Sequence, residues 1–180
     1  MILYVVGYMA SGKTTFGEAL ARKLNIPFID LDQYIEEKEG KTVSEIFALS
    51  GEEGFRALER QHLEKATEEN PTSVMACGGG TPCHFDNMGY LNNNGVTIFL
   101  ETSTPVLISR LQAENGRRPL MAGKSDEEIR QKVLTQLCER LPHYMEAKLK
   151  WQGDDLETAE QIEANVSTFV ASYPSLFRDL

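Results

Sequence analysis

Short apolar runs alternate along the chain with stretches whose apolar positions recur every three or four residues. The runs at 2–6, 27–31, 73–77 and 96–100 read as buried strands, with a weaker fifth at 148–152. Between them, helical periodicity covers 15–24, a stripe of Phe55, Leu58, His62 and Ala66, the stretch from Thr104 to Glu114, and a long segment 126–141 that presents Ile129, Val133, Leu137 and Leu141. An amphipathic pattern over 157–172 closes the chain. Strand alternating with helix predicts an α/β fold, three layers around a parallel sheet.

Helix starts carry their own chemistry. Thr42-Val43-Ser44-Glu45, Ser50-Gly51-Glu52-Glu53 and Ser125-Asp126-Glu127-Glu128 have the spacing of capping boxes. Thr104-Pro105 offers a cap followed by proline at the first helical position. Pro142 is expected to kink or restart the long helix where it falls.

The stretch with the most specific chemistry lies directly behind the first apolar run. Gly7-Tyr8-Met9-Ala10-Ser11-Gly12-Lys13-Thr14 has the form G-x-x-x-x-G-K-[ST], between a strand and a helix. In that context backbone N–H groups and a helix N-terminus gather around an anion. Lys13 is expected to reach the outer phosphates of a nucleotide, and the Thr14 hydroxyl to meet Mg²⁺. The dinucleotide spacing G-x-G-x-x-G is absent.

Four further stretches invite a functional reading beside a plain one. Asp30-Leu31-Asp32 ends the second run, and strand alternation would put both carboxylates on one face at the ligand-binding edge of the sheet. There Asp30 could support Mg²⁺ and Asp32 accept a substrate hydroxyl; alternatively the two are solvated acids, or Asp32 caps the next helix. Arg56 borders the apolar stripe, either as a surface partner of Glu52 or as a planar clamp for a carboxylate. Gly78-Gly79-Gly80 exceeds what a simple turn needs and favours bare backbone against a ligand. The segment 117–124, Arg117-Arg118-Pro119-Leu120-Met121-Ala122-Gly123-Lys124, reads as a basic lid that excludes water, or as a solvated loop. Arg140 borders the apolar face of its helix, and His62 and His84 read as packing or surface histidines.

Composition narrows the class. The 180 residues fit one domain with a real core, and no apolar stretch reaches membrane-spanning length. The chain opens at once on a strand, with no charged leader, so the cytoplasm is the expected compartment. Cys77, Cys83 and Cys138 fit neither a disulfide framework nor zinc spacing and read as reduced thiols. A net charge of −9 argues against nucleic acid as a partner. Part of that excess is local: residues 151–180 hold Asp154, Asp155, Glu157, Glu160, Glu163 and Asp179 against Arg178 alone.

Taken together and in order, the P-loop, Asp30-x-Asp32, Gly51-Glu52-x-x-Phe55-Arg56-x-x-Glu59, Gly78-Gly79-Gly80, Arg117-Arg118-Pro119-Leu120 and Arg140-x-x-x-Tyr144 resemble the shikimate kinase family. The resemblance runs from Ile2 to about Tyr144. It implies a single domain over 1–180 of the P-loop, nucleoside-monophosphate-kinase type, with five parallel strands in the order 2-3-1-4-5. It also implies a lid at about 115–124 and an acceptor-binding helical region at about 32–62.

The activity it implies is transfer of a phosphoryl group from ATP, with Mg²⁺, to the 3-hydroxyl of shikimate, in a protein expected to be monomeric. Gly7, Ala10, Ser11, Gly12, Lys13, Thr14 and Thr15 would hold the nucleotide, and Arg110 would pack on its adenine. Arg118 would reach the transferring phosphate. Asp32, Arg56, Arg140, Gly78, Gly79 and Gly80 would form the shikimate site, with Glu59 orienting Arg56. Thr14, and through water Asp30 and Asp32, would serve the metal; Lys13, Asp32 and Arg118 are the catalytic candidates. Ala10 departs from the family, which often has glycine there, and Trp151 to Leu156 has no assignment. Two rival readings remain: another small-molecule P-loop kinase such as a gluconate kinase, and a non-catalytic nucleotide-binding module.

Overall fold

The computed structural model describes residues 1–113 and 125–178. Five parallel strands, β1 (Ile2–Val6), β2 (Phe28–Asp30), β3 (Ser73–Ala76), β4 (Gly95–Glu101) and β5 (Leu149–Gln152), lie in the order β2-β3-β1-β4-β5. The expected order 2-3-1-4-5 is therefore found. Alternation along β1 divides the core in two: Ile2, Tyr4 and Val6 enter one buried cluster, Leu3 and Val5 the other.

On the Leu3 and Val5 face lie α1 (Lys13–Leu24) and α7 (Ala159–Ser172), whose Phe16 and Phe169 rings meet edge to face at 5.4 Å. The opposite face is covered by α2 (Leu31–Glu39), α3 (Val43–Glu69), α4 (Asn87–Asn94), α5 (Thr104–Ala113) and α6 (Asp126–Tyr144). Trp151, given no functional assignment by sequence, packs half-buried against the core: its indole N–H donates to Asn165 Oδ1 at 2.6 Å, and its ring meets Phe169.

The boxes at Thr42 and Ser125 form as expected, with hydroxyl and carboxylate serving each other's backbone N–H, and Thr158 with Gln161 makes a third. The box expected at Ser50 does not form. The Ser50 hydroxyl instead donates back to the Ile46 carbonyl at 2.8 Å, and the break falls one residue later, at Gly51 (φ 69°, ψ −177°). Two helical pieces thus meet at Gly51, and the second carries Phe55, Arg56 and Glu59.

Pro142 lies within α6, which continues to Tyr144 rather than stopping at the proline. Leu141, expected inside, is 41% exposed while Ile129 and Val133 are fully buried. At 100° per residue, twelve positions carry a side chain about 120° away from the starting face, so the stripe drifts out by the end of the helix. His62 is buried and its Nε2 lies 2.7 Å from Glu39 Oε1, bridging α3 to α2, which accords with a packing role.

The backbone at Gly51 lies in a region open essentially to glycine alone, whereas Gly40 (φ 63°, ψ 25°) is ordinary left-handed backbone; a Cβ would meet nothing within 4 Å at either. Gly51→Ala should therefore cost about 1–3 kcal/mol and Gly40→Asn a few tenths. Urea unfolding of the two variants compares them, and equal losses would contradict this account of the kink.

Candidate active site

The C-terminal ends of β1, β2 and β3, adjacent in the sheet, deliver three separate sequence features to one cleft of about 700 Å³. Behind β1 comes the phosphate loop. Gly12, at φ 94°, caps α1 with no side-chain bond, and the first turn of α1 holds no acid, so its N–H groups face the cleft unopposed. Lys13 folds over the loop, its ammonium donating to the Tyr8 carbonyl at 2.8 Å. Ala10, at φ 61°, takes up left-handed backbone that a glycine would adopt without strain. Met9, Ala10, Gly12, Lys13, Thr14 and Thr15 line the cleft. Ser11 is buried behind the loop: its carbonyl accepts from Thr102 and its N–H donates to Tyr8.

Behind β2 the two aspartates arrive differently from the alternation the sequence suggested. Asp30 ends the strand and caps α2 through Oδ1, which accepts from the N–H groups of Asp32 (3.1 Å) and Gln33 (3.4 Å). Its other oxygen accepts from the Thr14 hydroxyl at 3.0 Å. Asp32 therefore belongs to the first turn of the helix, and capping falls to Asp30. Both still line the cleft beside Lys13. Burial, then the neighbouring Asp30 and Glu59, push the Asp32 carboxyl up to about 6 against the pull of Lys13 and Arg56.

Behind β3 the glycine turn runs into a 3-10 turn, Thr81–Cys83. Gly78, Gly79 and Gly80 line the cleft, and a Cβ at Gly80 would run into the Arg56 guanidinium. Arg56 is not a surface partner. Its side chain is 11% exposed, Nη1 donates to Glu59 Oε2 at 2.8 Å, and Glu52 is no nearer than 3.5 Å. Glu59, 1% exposed, also accepts from the Thr81 hydroxyl at 2.6 Å. Arg56 Nε is buried and finds no hydrogen-bond partner among the described residues. The Arg56 side chain also lines the cleft, where its guanidinium could pair with an anionic ligand.

The opposite wall comes from α6. Arg140 lines the cleft with its guanidinium 5.7 Å from the centre of the Tyr8 ring. The Tyr8 hydroxyl donates to Gln136 at 2.7 Å, and the Tyr144 hydroxyl donates to the Gly79 carbonyl at 2.5 Å. Arg56 and Arg140 both line this cleft. Burial pushes the Cys83 thiol up to about 11 and the fully buried Cys77 thiol higher still, which leaves both uncharged and non-nucleophilic at neutral pH.

At the far end, Arg110 ties the phosphate loop to the segment after β5. Its Nη1 donates to the Ala10 carbonyl (3.2 Å), Nη2 to the carbonyls of Gly153 (3.1 Å) and Asp154 (2.9 Å), and Nε to Glu157 (2.7 Å). Leu156 packs on Gly12, so the stretch left unassigned by sequence is brought against the loop. Arg117, Arg118 and the rest of the expected lid lie outside the described residues. Thr81, Asn87, Tyr8 and Gln136 escaped sequence reasoning. Thr81 alone had a signal, as the first side chain after three glycines.

Because the native Asp32 carboxyl holds its proton up to about pH 6 while the unfolded chain releases it near 4, stability falls as pH rises through that window and stays reduced above it. Asp32→Asn should therefore raise the melting temperature at pH 7.5 by roughly 3–6 °C, with the gain closing near pH 4. Thermal scans across that range check the sign; an Asn variant less stable at pH 7.5 would contradict it.

A family model described as shikimate kinase matches residues 9–171. The shikimate kinase of Phocaeicola vulgatus is 46% identical over 92% of this chain and 94% of its own length. The crystal structure of shikimate kinase from Bacteroides thetaiotaomicron superposes with a TM-score of 0.92 at 43% identity, covering 97% of this chain and 98% of that one. Shikimate kinase from Acinetobacter baumannii, solved in complex with shikimate, gives a TM-score of 0.80 at 30% identity, over 97% and 93% of the two chains. The likeness spans nearly the whole chain in sequence and in fold, and the chain belongs to the shikimate kinase family.

Proposed function

We propose that the cleft carries out its chemistry by holding two anions side by side, a nucleotide tail on main-chain N–H groups and a small ring acid on guanidinium groups. The chain is an ATP-dependent kinase that phosphorylates shikimate on its 3-hydroxyl. The observation that carries the division of labour is the convergence of Arg56 and Arg140 with Asp32 in the same cleft as Lys13 and the phosphate loop.

On this reading the phosphate loop and Lys13 bind the β- and γ-phosphates, and the adenine packs on Arg110 beside the Leu156–Glu157 segment. Arg56 and Arg140 grip the acceptor's carboxylate. Asp32 accepts a ring hydroxyl, with Gly78, Gly79 and Gly80 forming the floor beneath it. Thr14, Asp30 and Asp32 offer a hydroxyl and two carboxylates beside the loop, hard oxygen donors that suit Mg²⁺ with most of its waters retained. Bound there, Mg²⁺ would supply neutralisation of phosphate charge.

Transfer of a phosphoryl group through a loose transition state asks the protein for alignment and charge stabilisation. Lys13 and the loop N–H groups supply both at the phosphates, and Asp32 aligns the attacking hydroxyl and takes its proton as the new bond forms. With its carboxyl raised to about 6, Asp32 is ionised at neutral pH yet closer in basicity to its task than a solvated aspartate. The lid arginine Arg118 acts on the transferring group, and the enzyme works as a monomer in the cytoplasm.

A phosphotransfer panel with shikimate, gluconate and nucleoside monophosphates, each with MgATP, tests the acceptor. Turnover with shikimate alone is expected. Preference for gluconate would make the chain a sugar-acid kinase, and tight ATP binding with no turnover would make it a binding module. Arg118→Ala should lower kcat about 10²-fold with the shikimate KM nearly unchanged. An unchanged kcat with a raised KM would remove Arg118 from the transition state.

A further inference from the structure

Arg56 Nη1 donates to Glu59 Oε2 at 2.8 Å, its Nη2 meets only the exposed Glu52 at 3.5 Å among the described residues, and the side chain lines the cleft. A planar guanidinium paired with a carboxylate ordinarily makes two parallel bonds. Here Glu59 makes one, and its second oxygen, Oε1, accepts from the Thr81 hydroxyl at 2.6 Å. Both Glu59 and Thr81 are shut off from water, so no solvent molecule competes for that oxygen.

Thr81 is itself fixed from behind. Its N–H donates to the Gly78 carbonyl at 3.1 Å. Its own carbonyl accepts from Asn87 Nδ2 at 2.8 Å, and the buried Asn87 amide is oriented in turn by Arg60, whose Nη1 donates to Asn87 Oδ1 at 2.9 Å. A hydrogen-bonded chain therefore runs from Arg60 at the surface of α3, through Asn87 in α4 and the 3-10 turn, to the guanidinium in the cleft.

We infer that Thr81 is a positioning residue for the acceptor site: by donating to Oε1 it fixes the Glu59 carboxylate, and through the Glu59–Arg56 bond it holds the cleft-lining guanidinium in place for the acceptor's carboxylate. Without that hydroxyl, Oε1 is a buried acceptor with no donor, and the cheapest remedy is for Glu59 to turn and take both Nη groups. The guanidinium then swings away from the cleft. The inference rests on the reading of Arg56 as the clamp for the acid, and its consequence falls on acceptor affinity rather than on the chemical step.

Steady-state kinetics of Thr81→Val, which keeps the shape and removes the hydroxyl, test it beside Thr81→Ser, which keeps the hydroxyl, and Arg56→Lys. The valine variant should raise the shikimate KM roughly tenfold with kcat and the ATP KM within about twofold, and serine should restore near-normal values. Should the valine variant not fold, Thr81→Ala is read the same way. A shikimate KM unchanged in the valine variant, a serine variant as impaired as valine, or parallel losses in kcat and both KM values would overturn the role given to Thr81. If Arg56→Lys raises the shikimate KM and Thr81→Val does not, Thr81 alone is misassigned. If Arg56→Lys also leaves that KM untouched, the clamp itself is wrong.

Discussion

Two carboxylates, the half-buried Asp32 and the fully buried Glu59, line the same cleft as the cations Lys13, Arg56 and Arg140, and the remainder of the architecture is arranged to keep these charges in register. Charges taken out of water are tolerated only when paired and hydrogen-bonded. Glu59 meets that condition fully, between Arg56 and Thr81. Asp32 meets it only in part, which is why burial and its acidic neighbours raise its carboxyl so far. The cation on one side and the acid on the other are each left short of a partner that a ligand can supply.

The parallel sheet makes this arrangement possible. β1, β2 and β3 are neighbours that all end at the same edge, so a glycine loop, an aspartate pair and a glycine turn, distant in sequence, open onto one cavity. The cores on the two faces of the sheet hold the helices that carry the rest. The second piece of α3 supplies Arg56 and Glu59, re-aimed by the break at Gly51, while α6 supplies Arg140 and Tyr144. The same logic explains an acidic protein that binds anions. Net charge describes the exterior, whereas the field inside the cleft is set by a few cations and the N-terminus of α1.

Much of this was legible in the chain. Alternating runs gave the sheet and its class, and G-x-x-x-x-G-K-T between strand and helix identified the phosphate loop without help from any relative. Where reading failed, the missing quantity was three-dimensional. Asp30 and Asp32 were expected on one strand face, but a cap at Asp30 turned the chain into a helix one residue earlier. Ser50 had the sequence of a capping box, yet the backbone freedom of Gly51 and a bond from Ser50 back to Ile46 decided otherwise. Spacing alone left Arg56 open between surface and cleft until the family resemblance placed it, because the Gly80 that its guanidinium lies against is twenty-four residues away and has no side chain to signal contact. Thr81 and Asn87 act through hydrogen bonds to other polar groups, and no periodicity announces such partners.

A crystal structure of the protein with MgADP and shikimate tests the central claim most directly. The account predicts the acid's carboxylate against the guanidinium groups of Arg140 and Arg56, with Glu59 still bound to Thr81 and the nucleotide phosphates on the loop around Lys13. Shikimate bound with its carboxylate away from both arginines, and Arg56 left on Glu59 and Glu52 alone, would contradict it.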